Sequence, residues 1–349
     1  MFQSHKKGWI GVDVGTSTVK VVQLHRHNDR LQIAAKAIVP RREPWQTLSS
    51  SDPLSSTNEL QAAAALLGDF KGRRTAATLS MALCDVHRID SLVSSSSRQA
   101  AAIRQSIETA TQNSADNWQY DCWSPKSLQE GSGGTNVLTA LRTWTDQLCE
   151  DIAQLGWSCQ LIDGLPLAMA RAVRLVHPNS SGAPLAAIDL GYGTATFCTV
   201  VEGAATYVRS LKDCGFQRLL RVISEELNVT CDEAQRLFQE HGIAADPGSP
   251  LSDTAEILQE LSDNYLSELV QEISRTLAHQ KGQRQSVVPE QIYLLGGGAT
   301  VKGLATQLTR TLQTNVEVWR FGDEPSGDAL PTCLLGPAIA LSALAWEQS

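Results

Sequence analysis

The amino-acid sequence predicts an α/β protein of two similar domains, and three observations carry that prediction. Three strand-like, β-branched segments at 7–14, 18–25 and 31–39 are repeated at 185–190, 194–201 and 205–211. The turn after the first segment of each set has one pattern, D-x-G-x-x-T, at 13–18 and again at 189–194. Later segments place apolar residues every three or four positions, the period of a helix lying on a sheet.

Along the chain, the first meander is followed by a Ser- and Pro-rich stretch at 40–56 without periodicity. Ser56-x-x-Glu59 has the spacing of a capping box and opens a helix expected to end at Gly68. Strands at 76–82 and 86–92, a helix near 98–110, a strand at 118–123, a Gly/Ser loop at 130–134 and a strand at 136–141 follow. A helix over 144–155, a strand at 158–162 and a helix over 165–176 lead to His-Pro-Asn-Ser-Ser-Gly-Ala-Pro at 177–184, where the main domain boundary is placed. After the second meander come helices near 215–228 and 231–241. Leu258, Leu261, Tyr265, Leu269, Ile273 and Leu277 then mark an amphipathic helix over roughly 252–280. A strand at 291–295 runs into Gly296-Gly297-Gly298, a helix with Val301, Leu304, Leu308 and Leu312 on one face comes next, and Pro337 suits the first turn of a last helix.

Composition narrows the function. The 349 residues are 42% hydrophobic and 19% charged, as in ordinary globular proteins, and their length suits two large domains. A net charge of −8 argues against binding nucleic acid by bulk electrostatics. The N-terminus lacks a signal-peptide core, and the longest apolar run, 334–346, is broken by Gly336, Pro337 and Ser342, so neither export nor a membrane span is expected. The eight cysteines form no C-x-x-C pair and show no metal-ligand spacing, so disulfides and structural zinc are not expected either.

The paired motif carries the chemistry. Glycine permits a tight turn and close approach of backbone N–H groups to oxygen, Thr and Ser add hydroxyl donors, and Asp at a strand end can hold Mg²⁺ through its waters. Either copy alone reads first as a hairpin turn. Two copies in matching strand contexts, with a third Gly-rich loop after a hydrophobic strand, read as a polyphosphate site.

These motifs resemble those of the actin-like ATPase superfamily, and within it the PilM family of type IV pilus assembly, related to FtsA. The phosphate-1 pattern is Ile10-Gly11-Val12-Asp13-Val14-Gly15-Thr16-Ser17-Thr18-Val19-Lys20, and phosphate-2 is Ile188-Asp189-Leu190-Gly191-Tyr192-Gly193-Thr194. The adenosine motif is Leu294-Leu295-Gly296-Gly297-Gly298-Ala299. Further likeness lies in 161–168 with Arg171-Ala172, and in Tyr207-Val208-Arg209 before Cys214-Gly215.

The resemblance implies an actin-like ATPase fold, two similar α/β domains around a nucleotide cleft, with domain I at 1–178, domain II at 179–330 and a closing helix at 331–349 returning to domain I. A small α+β subdomain inserted at about 84–140 is implied too. It implies ATP and Mg as cofactors. Gly15, Thr16, Ser17, Thr18, Gly191, Gly193 and Thr194 would bind phosphate, and Gly296, Gly297, Gly298 and Gln235 the nucleoside. Asp13 and Asp189 would hold the metal. The implied partner is the N-terminal cytoplasmic peptide of a PilN-like inner-membrane protein, alongside other pilus or secretion platform components. The chain would then be cytoplasmic and peripheral to the inner membrane through that partner.

Departures from the family pattern matter. An A-E-x-L-K segment reads Ala234-Gln235-Arg236-Leu237-Phe238 here, and Phe238 shares a helical face with Ala234 and Leu237, as core residues do. Glu233 stands three residues after Thr230, where a capping box explains it. Gly-Gly becomes Cys214-Gly215, and Leu165 replaces a Glu common in the family. No general base is evident and the catalytic residues are unassigned, so hydrolysis is expected to be slow or absent. Adenine discrimination is expected to be weak.

Trp118, Tyr120 and Cys122 alternate on one strand face with Trp123 opposite, which suits either buried packing or peptide anchoring. His25 and His27 mark a solvated strand end, and the serine runs at 49–51 and 94–97 are loop and helix-start residues. The leading expectation is a nucleotide-binding scaffold of pilus assembly whose inserted subdomain holds the partner's tail. The alternatives are the actin-like component of a type II secretion platform, an FtsA-like division protein and a superfamily small-molecule kinase. The second lacks a basic amphipathic tail here, and the third lacks an acceptor-activating Asp.

Overall fold

A computed structural model describes residues 7–28, 30–45, 54–66, 70–89, 96–124, 134–178, 182–244, 252–282, 287–322 and 330–347. The serine run at 49–51, the helix end at Gly68, the loop at 130–133 and the boundary residues 179–181 lie outside them. The chain divides into two compact units, Met1–Ala168 with Pro337–Ser349, and Met169–Gly336.

The first unit contains β1 (Lys7–Val14), β2 (Thr18–His27), β3 (Arg30–Pro40), α1 (Thr57–Leu66), β4 (Arg74–Leu79), β5 (Cys84–Ile89), α2 (Ser96–Thr111), β6 (Trp118–Trp123), β7 (Thr135–Leu141), α3 (Arg142–Gln154) and β8 (Ser158–Gly164). Its main sheet runs β3-β2-β1-β4-β8, with β1 antiparallel to β2 and parallel to β4. Every residue of β1 after Lys7 is buried, as a central strand requires. A second sheet, β5-β7-β6, is wholly antiparallel. One face of it packs on α2, where Trp118, Tyr120 and Cys122 lie against Ile103, Ile107, Ala115 and Val137.

Helix α4 (Leu165–Val176) links the units, and the division falls inside it. The second unit adds β9 (Leu185–Leu190), β10 (Ala195–Val201), β11 (Ala204–Leu211), α5 (Phe216–Leu227), α6 (Cys231–His241), α7 (Asp253–Lys281), β12 (Gln291–Leu295), α8 (Leu304–Leu312) and β13 (Asn315–Val318). Its sheet order, β11-β10-β9-β12-β13, is the order of the first sheet position for position: an antiparallel meander, then two parallel strands. Leu258, Tyr265, Leu269 and Ile273 of α7 join Phe197, Ile223, Phe238 and Leu294 in one core. No helix among the described residues is long and apolar enough to cross a membrane.

The last helix, α9 (Gly336–Ala343), belongs mostly to the first unit. It lies on β1 because two strand residues have no side chain. A Cβ on Gly11 would stand 2.0 Å from the Ala338 carbonyl oxygen, and one on Gly8 2.5 Å from Ser342 Oγ. Ser342 Oγ donates to Trp9 O at 2.6 Å and accepts from Leu24 N–H at 2.9 Å.

Two local expectations change, and one strand goes unmarked in the sequence. The capping box at Ser56 and Glu59 does not form: the Ser56 N–H donates to Asp151 Oδ2 at 2.5 Å, while Arg41 takes Ser56 Oγ at 3.0 Å and Glu59 at 3.4 Å. Partners distant in sequence outcompete the local pair. Helix α8 begins at Leu304 rather than Val301, because Gly303 before it adopts φ +85°. Strand β13 has only four residues, too few for a period-two signal to show.

Candidate functional site

The two D-x-G-x-x-T turns have one geometry. A Cβ on Gly15 would lie 2.9 Å from Thr18 O, and one on Gly191 2.8 Å from Thr194 O, so each turn closes only around glycine. In both, the carbonyls are tied down from behind. Arg41 Nε donates to Gly15 O at 3.0 Å, Trp45 N–H to Thr16 O at 2.8 Å and Arg41 N–H to Ser17 O at 2.8 Å. In the second copy, Phe216 N–H donates to Gly191 O and Gln217 N–H to Tyr192 O, both at 2.9 Å. A trans peptide points its N–H opposite to its C=O, so the amides of Thr16 and Ser17, and of Tyr192 and Gly193, face away from these anchors. That is the arrangement of an anion nest.

Arg41 is buried, which lowers its pKa to about 10, against the raising effect of Glu59 and Asp151. Its guanidinium also sits 3.5 Å from the centre of the Trp45 ring. Nothing periodic marks Arg41 in the sequence. Asp13 is buried at the end of β1, in register with Lys20, and the two are ion-paired at 2.8 Å. Ser17 and Thr18 are half-buried, whereas Thr16 is buried.

In the second unit, Asp189 lies in register with Leu295, which brings the second turn beside the glycine loop. Gly296 has φ +82°, and a Cβ there would stand 2.4 Å from Asp189 Oδ1. Nothing lies within 4 Å of the corresponding position at Gly297, whose face is open, whereas Gly298 meets Leu190. The Thr194 hydroxyl is directed inward, to Leu211 O at 3.2 Å, so this residue shapes the turn through its carbonyl. A Cβ on Gly215 would stand 2.5 Å from Gly193 O, which explains glycine in Cys214-Gly215.

Helix α6 borders the glycine loop. Gln239 Nε2 donates to Thr300 Oγ1 at 3.3 Å, and Thr300 Oγ1 in turn donates to Gly297 O at 2.8 Å. Gln235 is half-buried one turn earlier on the same helix. Sequence reasoning singled out Gln235 and missed Gln239, although spacing of four puts both on one face. Glu233 closes a capping box with Thr230, whose N–H holds its carboxyl below the usual range. Phe238 is buried 6.2 Å from Phe216, ring centre to ring centre, and Leu165 is buried.

Within the first unit, a cavity of about 530 Å³ lies between the free face of the β5-β7-β6 sheet and the elements α3 and β8. Tyr120, Leu138, Ala140, Asp146, Cys149 and Ile162 are among its lining residues. Tyr120 therefore serves both the α2 core and the cavity, while Trp118 packs under α2 and Trp123 is half-buried. Among the described residues no group of three or more His, Cys, Asp or Glu side chains is placed to hold a metal directly. Aspartates acting through metal-bound water need no such cluster.

The family model described as type IV pilus assembly protein PilM matches residues 162–324. No curated protein sequence matches the chain. A solved structure described as the PilM-PilN type IV pilus biogenesis complex is 20% identical, with 97% of this chain and 98% of that one covered and a TM-score of 0.79. The ethanolamine utilization protein EutJ from Carboxydothermus hydrogenoformans is 14% identical, over 96% of this chain and 89% of that one, with a TM-score of 0.55. Component A of (R)-2-hydroxyglutaryl-CoA dehydratase from Acidaminococcus fermentans is 14% identical, over 97% and 98%, with a TM-score of 0.51. At these identities the likeness is one of fold.

Proposed function

We propose that this PilM-like chain, with its α/β actin-like ATPase fold, is a nucleotide-binding scaffold of type IV pilus assembly that captures the cytoplasmic tail of a PilN-like inner-membrane protein. The observation that carries the reading is the cavity beside the inserted sheet, which offers an apolar floor from Leu138, Ala140 and Ile162 and a polar rim at Asp146. That combination suits a short peptide with apolar anchors. A tail already held at the membrane loses less freedom on binding, so a modest cavity suffices for recruitment. The chain would be peripheral to the inner membrane through that tail.

The two turns support the nucleotide half of the reading. Their outward amides suit the phosphates of ATP, the Asp13 and Asp189 carboxylates suit a hydrated Mg²⁺, and open Gly297 with Gln235 and Gln239 suits the nucleoside. Bound Mg-ATP would supply the polyanion that such amides hold. With a buried Leu165 where a carboxylate could have oriented water, the nucleotide serves as a conformational ligand with slow turnover.

The test is affinity for a synthetic peptide copying the partner's N-terminal cytoplasmic segment. Cys149→Trp fills the cavity from an exposed position on α3 and should weaken binding at least about tenfold, while Leu66→Asp, on exposed α1, should not. Equal affinity in parent and Cys149→Trp proteins would remove the cavity from the reading.

A further inference from the structure

Lys7, Lys71, Arg73 and Arg74 surround one cavity of about 360 Å³ with Gly8, Trp9 and Gly72, and among the described residues no acidic one lines it. It lies at the start of β1 and β4, the sheet end opposite the Gly15 turn. All four cations are exposed, and among the described residues none is ion-paired. In a chain of net charge −8 such a concentration runs against the average surface.

The loop that carries Lys71 and Arg73, between Lys7 at the start of β1 and Arg74 at the start of β4, is held at its backbone by buried groups. Gln23, 2% exposed, donates to Gly8 O at 3.0 Å and Lys71 O at 2.7 Å and accepts from Lys71 N–H at 2.9 Å. Ser158 N–H donates to Arg73 O at 2.6 Å, and Gly72 supplies the φ of +86° that turns the loop. The cations are therefore presented together before any ligand arrives.

We propose that this cavity is a docking surface for the anionic headgroups of a bilayer. A small soluble anion is held by converging buried donors, whereas here the charged ends are exposed on an open rim and add up against a surface bearing many phosphates. The contact is independent of peptide capture.

Flotation of the purified full chain with phosphatidylcholine vesicles, with and without phosphatidylglycerol, tests it. The parent should float only with the anionic vesicles. Lys71→Glu with Arg73→Glu should lower binding at least about 25-fold, taking about fivefold for each cation lost. Arg221→Glu with Arg275→Glu changes net charge equally at exposed positions on α5 and α7 and should bind like the parent. Lys71→Gln with Arg73→Gln, scored beside thermal melting, separates lost charge from a folding defect. Absence of parent flotation, or equal loss in both charge-reversed proteins, overturns the proposal. So does calorimetric binding of inorganic phosphate without flotation, which would make the cavity a soluble-anion site.

Discussion

Asp13 and Lys20 face each other in register across the first hairpin, ion-paired at 2.8 Å with 6% and 14% of their side chains exposed. In the second hairpin Thr196 occupies the matching position opposite Asp189. Two turns of one geometry thus differ in charge, with the cation beside the first alone of these two register pairs. On the proposed nucleotide reading, Lys20 would be a further cation available to phosphate, one that the glycine pattern does not reveal.

Lys20→Met should leave Asp13 buried without its cation and destabilise the first unit by about 3 kcal/mol in urea unfolding. Adding Asp13→Asn should restore part of that loss. Calorimetry should show Mg-ATP affinity reduced at least about tenfold in the single variant. Parent-like stability and affinity would mean that the pair supports neither fold nor ligand.

Gly296→Ala and Gly297→Ala should differ in stability although they are neighbours. At Gly296 the added methyl meets Asp189 Oδ1 and the backbone has φ +82°, so about 1–2 kcal/mol of strain and a displaced carboxylate are expected. Mg-ATP affinity should fall at least about tenfold. Gly297→Ala meets no protein atom and should leave the melting temperature near the parent value, while its methyl occupies the open face offered to the nucleoside, so affinity should fall without a loss of stability.

Arg41→Lys should loosen the first turn. A lysine cannot span Gly15 O, Ser56 Oγ and Glu59 together, and about 2–3 kcal/mol of stability should be lost. Hydrogen exchange of the Thr16, Ser17 and Thr18 amides should quicken. Because burial lowers the guanidinium pKa to about 10, its desolvation cost is present at all lower pH and relieved only as pH rises from there toward the ordinary guanidinium range. No change in the size of this effect is expected near neutrality.

Alkaline pH should destabilise the second unit through Cys198. Burial raises this thiol from 9.0 to about 12, so between those values the unfolded chain has lost a proton that the folded chain retains. Its contribution is intact below pH 9 and declines as pH rises toward 12, by about 1 kcal/mol per pH unit. Cys198→Ala should flatten the slope of unfolding free energy against pH above 9. An unchanged slope would assign the alkaline loss to other groups.

Signals confined to a few neighbouring residues were legible in the sequence. The D-x-G-x-x-T turns, both meanders, the Thr230–Glu233 capping box and the core position of Phe238 depend on local spacing, and each is present in the fold. The remainder depends on partners far along the chain. Arg41 reaches Gly15 across 26 positions, Gln239 reaches Thr300 across 61, and Asp151 takes the Ser56 amide across 95. No spacing rule connects such pairs. The likeness of the turns was readable, but their anchoring by 41–45 in one case and 216–217 in the other was not.

The closure of β1 by Ser342 and Ala338 also sets an order of events during synthesis. The second unit is one uninterrupted stretch of chain, whereas the first needs Pro337 and the residues after it to cover Gly8 and Gly11. Translation runs from the N-terminus, so the unit begun first is completed last. Until α9 emerges, β1 and β2 lack Ser342 on Trp9 O and Leu24 N–H, leaving apolar strand surface open to wrong partners. A nascent chain stalled before residue 337 should therefore protect the later-made unit from protease while the earlier-made one is cleaved.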